Sequence, residues 1–153
     1  MWERLVVAVY SRAPERPRRA VVRLATPGYR VGVLAAVFRP DGRLLLVDQP
    51  YVQGWSLPGG DLKRGEEPGP GLERELREEL GLHVRVAPPR EAHLRTGDRW
   101  VTFVQRVEVD EQVAQGLTAA SPELRAVGWF SPDALPTVHG DAAGPLALLG
   151  VRV

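Results

Sequence analysis

The sequence predicts an α/β domain, a mixed β-sheet covered by helices, on three observations. Near-continuous apolar runs at residues 31–38 and 43–47 suit strands buried on both faces. A stretch of helical period at residues 68–80 separates these from further strand signals at residues 83–86, 100–109 and 124–130. Helix signals return near the C-terminus, and strands on both sides of a helix favour this layered arrangement. A length of 153 residues fits one domain, 1–153, read as an N-terminal segment, 1–29, and a core, 30–153.

Taken in order, residues 5–10 are apolar and predict a strand, residues 11–19 with Pro14 and Pro17 a loop, and residues 20–25 a second short strand. Pro40-Asp41-Gly42 is a turn that makes a hairpin of residues 31–38 and 43–47. Trp55-Ser56-Leu57 is extended and ends at Pro58-Gly59-Gly60. Residues 68–80 form a helix, with Pro68 and Pro70 in the first turn where amide hydrogens lack partners, and Gly81 suits its C-cap. Gly69 and Gly71 are weak helix formers and predict a loosened first turn. Ser131-Pro132-Asp133 starts a short helix, and Asp141 caps a last one running to Leu149.

Composition excludes several classes. The 44% hydrophobic and 25% charged content is that of a globular chain rather than a disordered one. No apolar run approaches the roughly 18 residues a membrane helix needs, and the first residues do not read as a signal peptide. With no cysteine there are neither disulfides nor thiolate metal sites, which fits a cytoplasmic location. A net charge of +1 argues against general nucleic-acid binding. Arg12, Arg16, Arg18, Arg19, Arg23 and Arg30 gather near the N-terminus, but no aromatic residues interleave them, and a solvated arm is the better reading.

The chemistry is read from the helix. With Leu72 at zero and ~100° per residue, Leu76 falls at about 40° and Leu80 at about 80°, a stripe for the core. On the same wheel Glu78, Glu75 and Glu79 fall at about 240°, 300° and 340°, sharing a face beside that stripe. Glu75 and Glu79 are a like-charge pair one turn apart, whose repulsion grows with burial. Arg74 and Arg77 project to about 200° and 140°, flanking the acids rather than interleaving with them. A hard cation, Mg²⁺ or Mn²⁺, offsets the repulsion better than a solvated acidic face does. Pro58-Gly59-Gly60 lets backbone approach whatever the helix binds.

Gly60, five residues, Glu66, seven residues, then Arg74-Glu75-Leu76-Arg77-Glu78-Glu79-Leu80-Gly81-Leu82 resembles the signature box of the Nudix hydrolases at every specified position. The preceding hairpin, Trp55 to Gly60, and Trp129-Phe130-Ser131-Pro132-Asp133 extend the likeness over most of residues 31–135. The resemblance implies a Nudix-type α/β/α sandwich with a mixed β-sheet, dependence on Mg²⁺ or Mn²⁺, and hydrolysis of a nucleoside diphosphate linked to another moiety. Carried over by position, Glu75, Glu78 and Glu79 are metal-binding and catalytic carboxylates, Glu75 being the first choice of general base. The Gly59 carbonyl is a further ligand, Arg74 orients a carboxylate, and Glu66 and Gly60 support the loop and helix.

The resemblance also implies a further acid from a later loop. Glu123 is the candidate, with Asp110 and Glu111 as alternatives. Tyr51, Trp55, Trp100 and Phe103 offer ring faces for a base, Tyr51 and Trp100 foremost because both adjoin expected loops. Arg99 is a candidate phosphate contact, and His93 and His139 have no assigned role. The accessory patterns of NADH, coenzyme A and ADP-ribose subfamilies are absent, Asp98 standing where the last often carry a proline. Rival readings are a silent nucleotide-binding Nudix domain, which would have lost box carboxylates, and an isoprenoid diphosphate isomerase, which would need a cysteine. A hydrolase of a non-nucleotide diphosphate stays open, as does a homodimer built through the N-terminal segment.

Overall fold

The computed structural model describes residue 14 and residues 28–152. The expected strands at 5–10 and 20–25, the loop between them and most of the arginine cluster lie outside those residues. In chain order the elements are β1 (Arg30–Phe38), β2 (Leu44–Asp48), β3 (Trp55–Ser56), β4 (Gly59–Asp61), α1 (Pro68–Leu80), β5 (Glu91–Arg95), β6 (Trp100–Glu108), α2 (Glu111–Gly116), β7 (Ala126–Phe130) and α3 (Gly140–Leu148). Strand order is β3-β2-β1-β6-β5, with β4 also on β1 and β7 also on β2. β1 and β6 run parallel from Arg30 opposite Trp100 to Phe38 opposite Glu108, and the other pairs are antiparallel, so the sheet is mixed.

The continuous apolar runs exist because both faces of the central strands are covered. Val33, Ala35 and Val37 of β1, with Leu45 and Val47 of β2, pack against Leu72, Leu76 and Leu80 of α1. The intervening Ala36, Phe38, Leu44 and Leu46 face the other way, onto Ala142 and Leu146 of α3. The result is the expected α/β/α sandwich. Leu72, Leu76 and Leu80 are buried, at roughly 1.5–3 kcal/mol each. That gain exceeds the ~1 kcal/mol each that Gly69 and Gly71 cost in helix propensity. Helix α1 therefore starts at Pro68 and ends with Gly81 in the left-handed conformation, φ 67°. Gly71 has a packing reason: a Cβ there would stand 2.3 Å from Leu62 Cδ2.

Several expectations are corrected. Residues 83–86 form no strand: Val84 and Val86 pack on the α1 core, but the Val86 amide donates to Glu73 Oε1 at 2.8 Å instead of to a ladder. The strand after α1 is β5, an edge strand with Leu94 exposed, held through its backbone pairing with β6. Ser131 begins only a single turn, closed by Ala134 N to Ser131 O at 3.0 Å, because Pro136 follows and cannot continue a helix. Asp110 accepts from the Val113 amide and caps α2, an element the sequence reading lacked. At α3 the cap is His139, whose Nδ1 accepts from the Asp141 amide at 3.3 Å, and Asp141 sits in the first turn. Strand β7 starts at Ala126, two residues later than expected. Among the described residues no helix is long and apolar enough to cross a membrane.

Candidate metal and active site

Strand β4 lies on the edge of β1, with Gly59 opposite Leu34 and Gly60 opposite Val33, and so sets its backbone against the acidic face of α1. Both glycines are dictated by close approach. Gly59 has φ 136°, and a Cβ there would stand 2.1 Å from the Val33 carbonyl oxygen. At Gly60 a Cβ would stand 2.8 Å from the Glu75 carboxyl carbon, so its absence makes room for that carboxylate.

Glu79 is the most buried acid among the described residues, 3% exposed, and its Oε2 accepts from the Gly59 amide at 2.8 Å. Burial pushes its pKa up to about 8, against the pull of the Gly59 N–H, and the charges of Glu75 and Glu123 push the same way. Glu75 is also raised by burial, opposed by Arg74. The Arg74 guanidinium joins the box together: Nε and Nη2 each reach Glu66 at 2.8 Å, and Nη1 reaches Glu75 Oε1 at 2.7 Å and Glu78 Oε2 at 3.3 Å. Those bonds hold Glu66 down to about 2. Arg74 thus does interleave with the acids, which its wheel position did not suggest, because its long side chain reaches back over the turn toward Glu66.

A pocket of about 320 Å³ opens where these elements meet. Gln49, Tyr51, Gly59, Gly60, Glu75, Glu79 and Glu123 line it, and so do Arg30, Trp100, Thr102, His139 and Asp141. The donor set suits a hard cation: Glu75, Glu79 and Glu123 face one cavity, and the first two carry a desolvation cost that a bound cation would offset. Among the described residues, no three acidic or histidine side chains lie close enough to cage an ion alone. Waters and substrate phosphates are the usual remaining ligands of Mg²⁺.

The family model for the NUDIX domain matches residues 28–149. The chain belongs to the Nudix hydrolase family. A MutT-like protein of Streptomyces ambofaciens is 36% identical over 107 residues, 70% of this chain and 67% of that protein. An RNA pyrophosphohydrolase of Halorhodospira halophila is 31% identical, over 67% of this chain and 66% of its own length. Among solved structures, a MutT NUDIX hydrolase from Burkholderia pseudomallei aligns with a TM-score of 0.63 at 28% identity, covering 79% of this chain and 98% of that one.

In this Nudix hydrolase the fold gathers most of the residues singled out from the sequence. Glu75, Glu79, Gly59, Gly60 and Glu123 line one pocket, with Tyr51 mostly exposed beside them. The Tyr51 pKa is raised by desolvation and by the charges of Glu123, Glu79 and Glu75. Glu78 does not line the pocket: it is half exposed, on Arg74 with Lys63 4.0 Å away. Asp110 caps α2 and Glu111 pairs with Arg39 at 2.8 Å, so neither alternative to Glu123 reaches the site.

Arg99 is exposed and outside the pocket lining, its backbone at φ 55° and its carbonyl accepting from the Arg30 amide. Trp100 lines the pocket, but its register partners on both neighbouring strands are arginines. Arg30 lies 4.4 Å and Arg95 5.1 Å from the ring centroid, so a base stacking there would have to displace a guanidinium. His139 lines the pocket, and His93 packs against Gly144 of α3. Gln49 was missed by sequence reasoning. It lines the pocket with Glu79 and counters part of the burial effect on that acid.

Proposed function

We propose that this Nudix hydrolase uses Mg²⁺ or Mn²⁺ to cleave the diphosphate linkage of a nucleoside diphosphate joined to another moiety, in the cytoplasm. The observation that carries the reading is the convergence of Glu75, Glu79 and Glu123 on one pocket, with an exposed aromatic ring, Tyr51, at its edge. Glu75, Glu79 and Glu123, with the Gly59 carbonyl, would hold the cation. When bound, such an ion supplies charge neutralisation for the phosphate oxygens and a more acidic water.

The chain's own residues do the rest. Arg74 fixes Glu75 through Oε1, while Oε2 accepts no hydrogen bond among the described residues and is left to take a proton. Water attacks phosphorus, the bridging P–O bond breaks, and the proton passes to Glu75 and then to solvent, leaving two phosphorylated products. Tyr51 provides a face for the base, and Arg30 and Trp100 form a wall of the same pocket. That a relative named RNA pyrophosphohydrolase shares the domain supports a substrate of nucleotide type.

The test is phosphate-product release from a panel of nucleoside diphosphate conjugates, 5′-triphosphorylated RNA and a non-nucleotide diphosphate, with Mg²⁺ or Mn²⁺. Turnover of a nucleotide class, abolished by chelator, is expected. Turnover of the non-nucleotide diphosphate alone, or of nothing while nucleotide binds, overturns the reading.

A further inference from the structure

Residues 120–125 form a short strap across the acidic end of the pocket, tied down at both ends. The Ala120 amide donates to the Glu79 carbonyl at 2.8 Å, on the last turn of α1. At the other end the Arg125 amide donates to the Asp48 carbonyl at 2.7 Å, and the guanidinium forks onto Asp48, Nε to Oδ2 at 3.0 Å and Nη2 to Oδ1 at 2.7 Å. Nη2 also reaches the Gln49 carbonyl at 3.2 Å, and Gln49 lines the pocket with Glu79. Between the ties Leu124 is buried in the same core cluster as Leu76 and Leu80.

Glu123 depends on this strap for its position. Its carboxylate has no hydrogen bond or ion pair among the described residues, and Glu75 and Glu79 repel it. We propose that Arg125, through its two-pronged contact with Asp48, is a positioning residue that holds Glu123 over Glu75 and Glu79 and thereby sets the cation affinity of the pocket. This rests on the reading of Glu123 as a cation ligand. A bidentate guanidinium–carboxylate contact fixes orientation as well as distance, which a single buried leucine does not. The pair is exposed enough to add little to global stability, so breaking it should move the strap without unfolding the protein. For Arg125 a purely electrostatic role has the opposite sign, since removing a positive charge near the pocket favours cation binding, so Arg125→Gln is the deciding variant.

The experiment is a Mn²⁺ titration of the whole chain, read by the paramagnetic resonance signal of free Mn²⁺, with thermal unfolding run alongside. Arg125→Gln, and independently Asp48→Asn, are expected to weaken Mn²⁺ binding about tenfold, the scale of lost outer-shell partners. Arg125→Lys keeps the charge and loses the fork, so it should behave as Arg125→Gln does. In a Glu123→Gln background the Arg125→Gln change should add no more than about twofold, because coupled residues do not act additively. Wild-type affinity in Arg125→Gln or in Asp48→Asn, full affinity in Arg125→Lys, or an undiminished effect in the Glu123→Gln background overturns the proposal. Wild-type affinity in Glu123→Gln alone fails the ligand reading itself, and the proposal with it.

Discussion

The Glu79 carboxylate, 3% exposed, accepts a 2.8 Å hydrogen bond from the Gly59 amide, so the most buried acid of α1 is fixed to the glycine turn that the rest of the site surrounds. One donor does not compensate its burial, since the pKa stands at about 8 against an ordinary value of 4.5. The folded protein therefore holds that proton more tightly than the unfolded chain. The associated stability is fully present below pH 4.5 and is lost as pH rises through about 8. With cation chelated, Glu79→Gln should gain stability relative to wild type progressively across that window. Thermal unfolding of the two proteins at pH 4.5, 6.5 and 8.5 measures it, and a pH-independent difference would contradict the burial argument.

Glu66 gives the opposite sign. Its carboxyl is held at about 2 by Arg74, so its contribution is present above the unfolded value of 4.5 and is lost as pH falls toward 2. Glu66→Gln should cost about 1–3 kcal/mol at neutral pH, as expected for hydrogen bonds to a charged group. Wild type and variant should converge in stability near pH 2, which acid unfolding monitored by circular dichroism reports.

The two adjacent glycines should respond differently to alanine. At Gly60 the obstacle is the end of the Glu75 side chain, which can swing aside, so the fold should survive while turnover falls on the order of 10²-fold. At Gly59 the obstacle is the Val33 backbone, with φ at 136° besides, and Gly59→Ala should lower stability by about 2 kcal/mol or more. Parallel kcat and unfolding measurements separate them, and equal losses of stability would argue against the Glu75 contact.

Much of this was legible beforehand, for identifiable reasons. The limits of α1 follow from Leu72, Leu76 and Leu80 at helical spacing between Pro68 and Gly81, all local signals. The same wheel placed Glu75 and Glu79 next to the buried stripe. Strand β5 was illegible because its side chains build no core, and residues 83–86 misled because Val84 and Val86 bury without pairing. In the site, Gln49 and the Arg125–Asp48 pair escaped notice because they are tertiary contacts, the latter spanning 77 residues. Trp100 looked like a free aromatic until the sheet order placed Arg30 and Arg95 on either side of it.

Substrate contacts make a separable prediction. Tyr51 is 68% exposed at the pocket, so truncating it should cost the fold nothing and act on binding. Tyr51→Ala is expected to raise KM about tenfold, the worth of one base–aromatic stack, with kcat little changed. A fall in kcat at unchanged KM would move Tyr51 from the base to the chemistry.

The most direct test of the central claim is the turnover number of Glu79→Gln beside wild type, on the best substrate of the panel at saturating Mn²⁺. If Glu79 holds the cation in the pocket with Glu75 and Glu123, kcat should fall by about 10²-fold or more while the variant stays folded. Near-normal turnover would contradict the account, because the most buried carboxylate of the pocket would then take no part in catalysis.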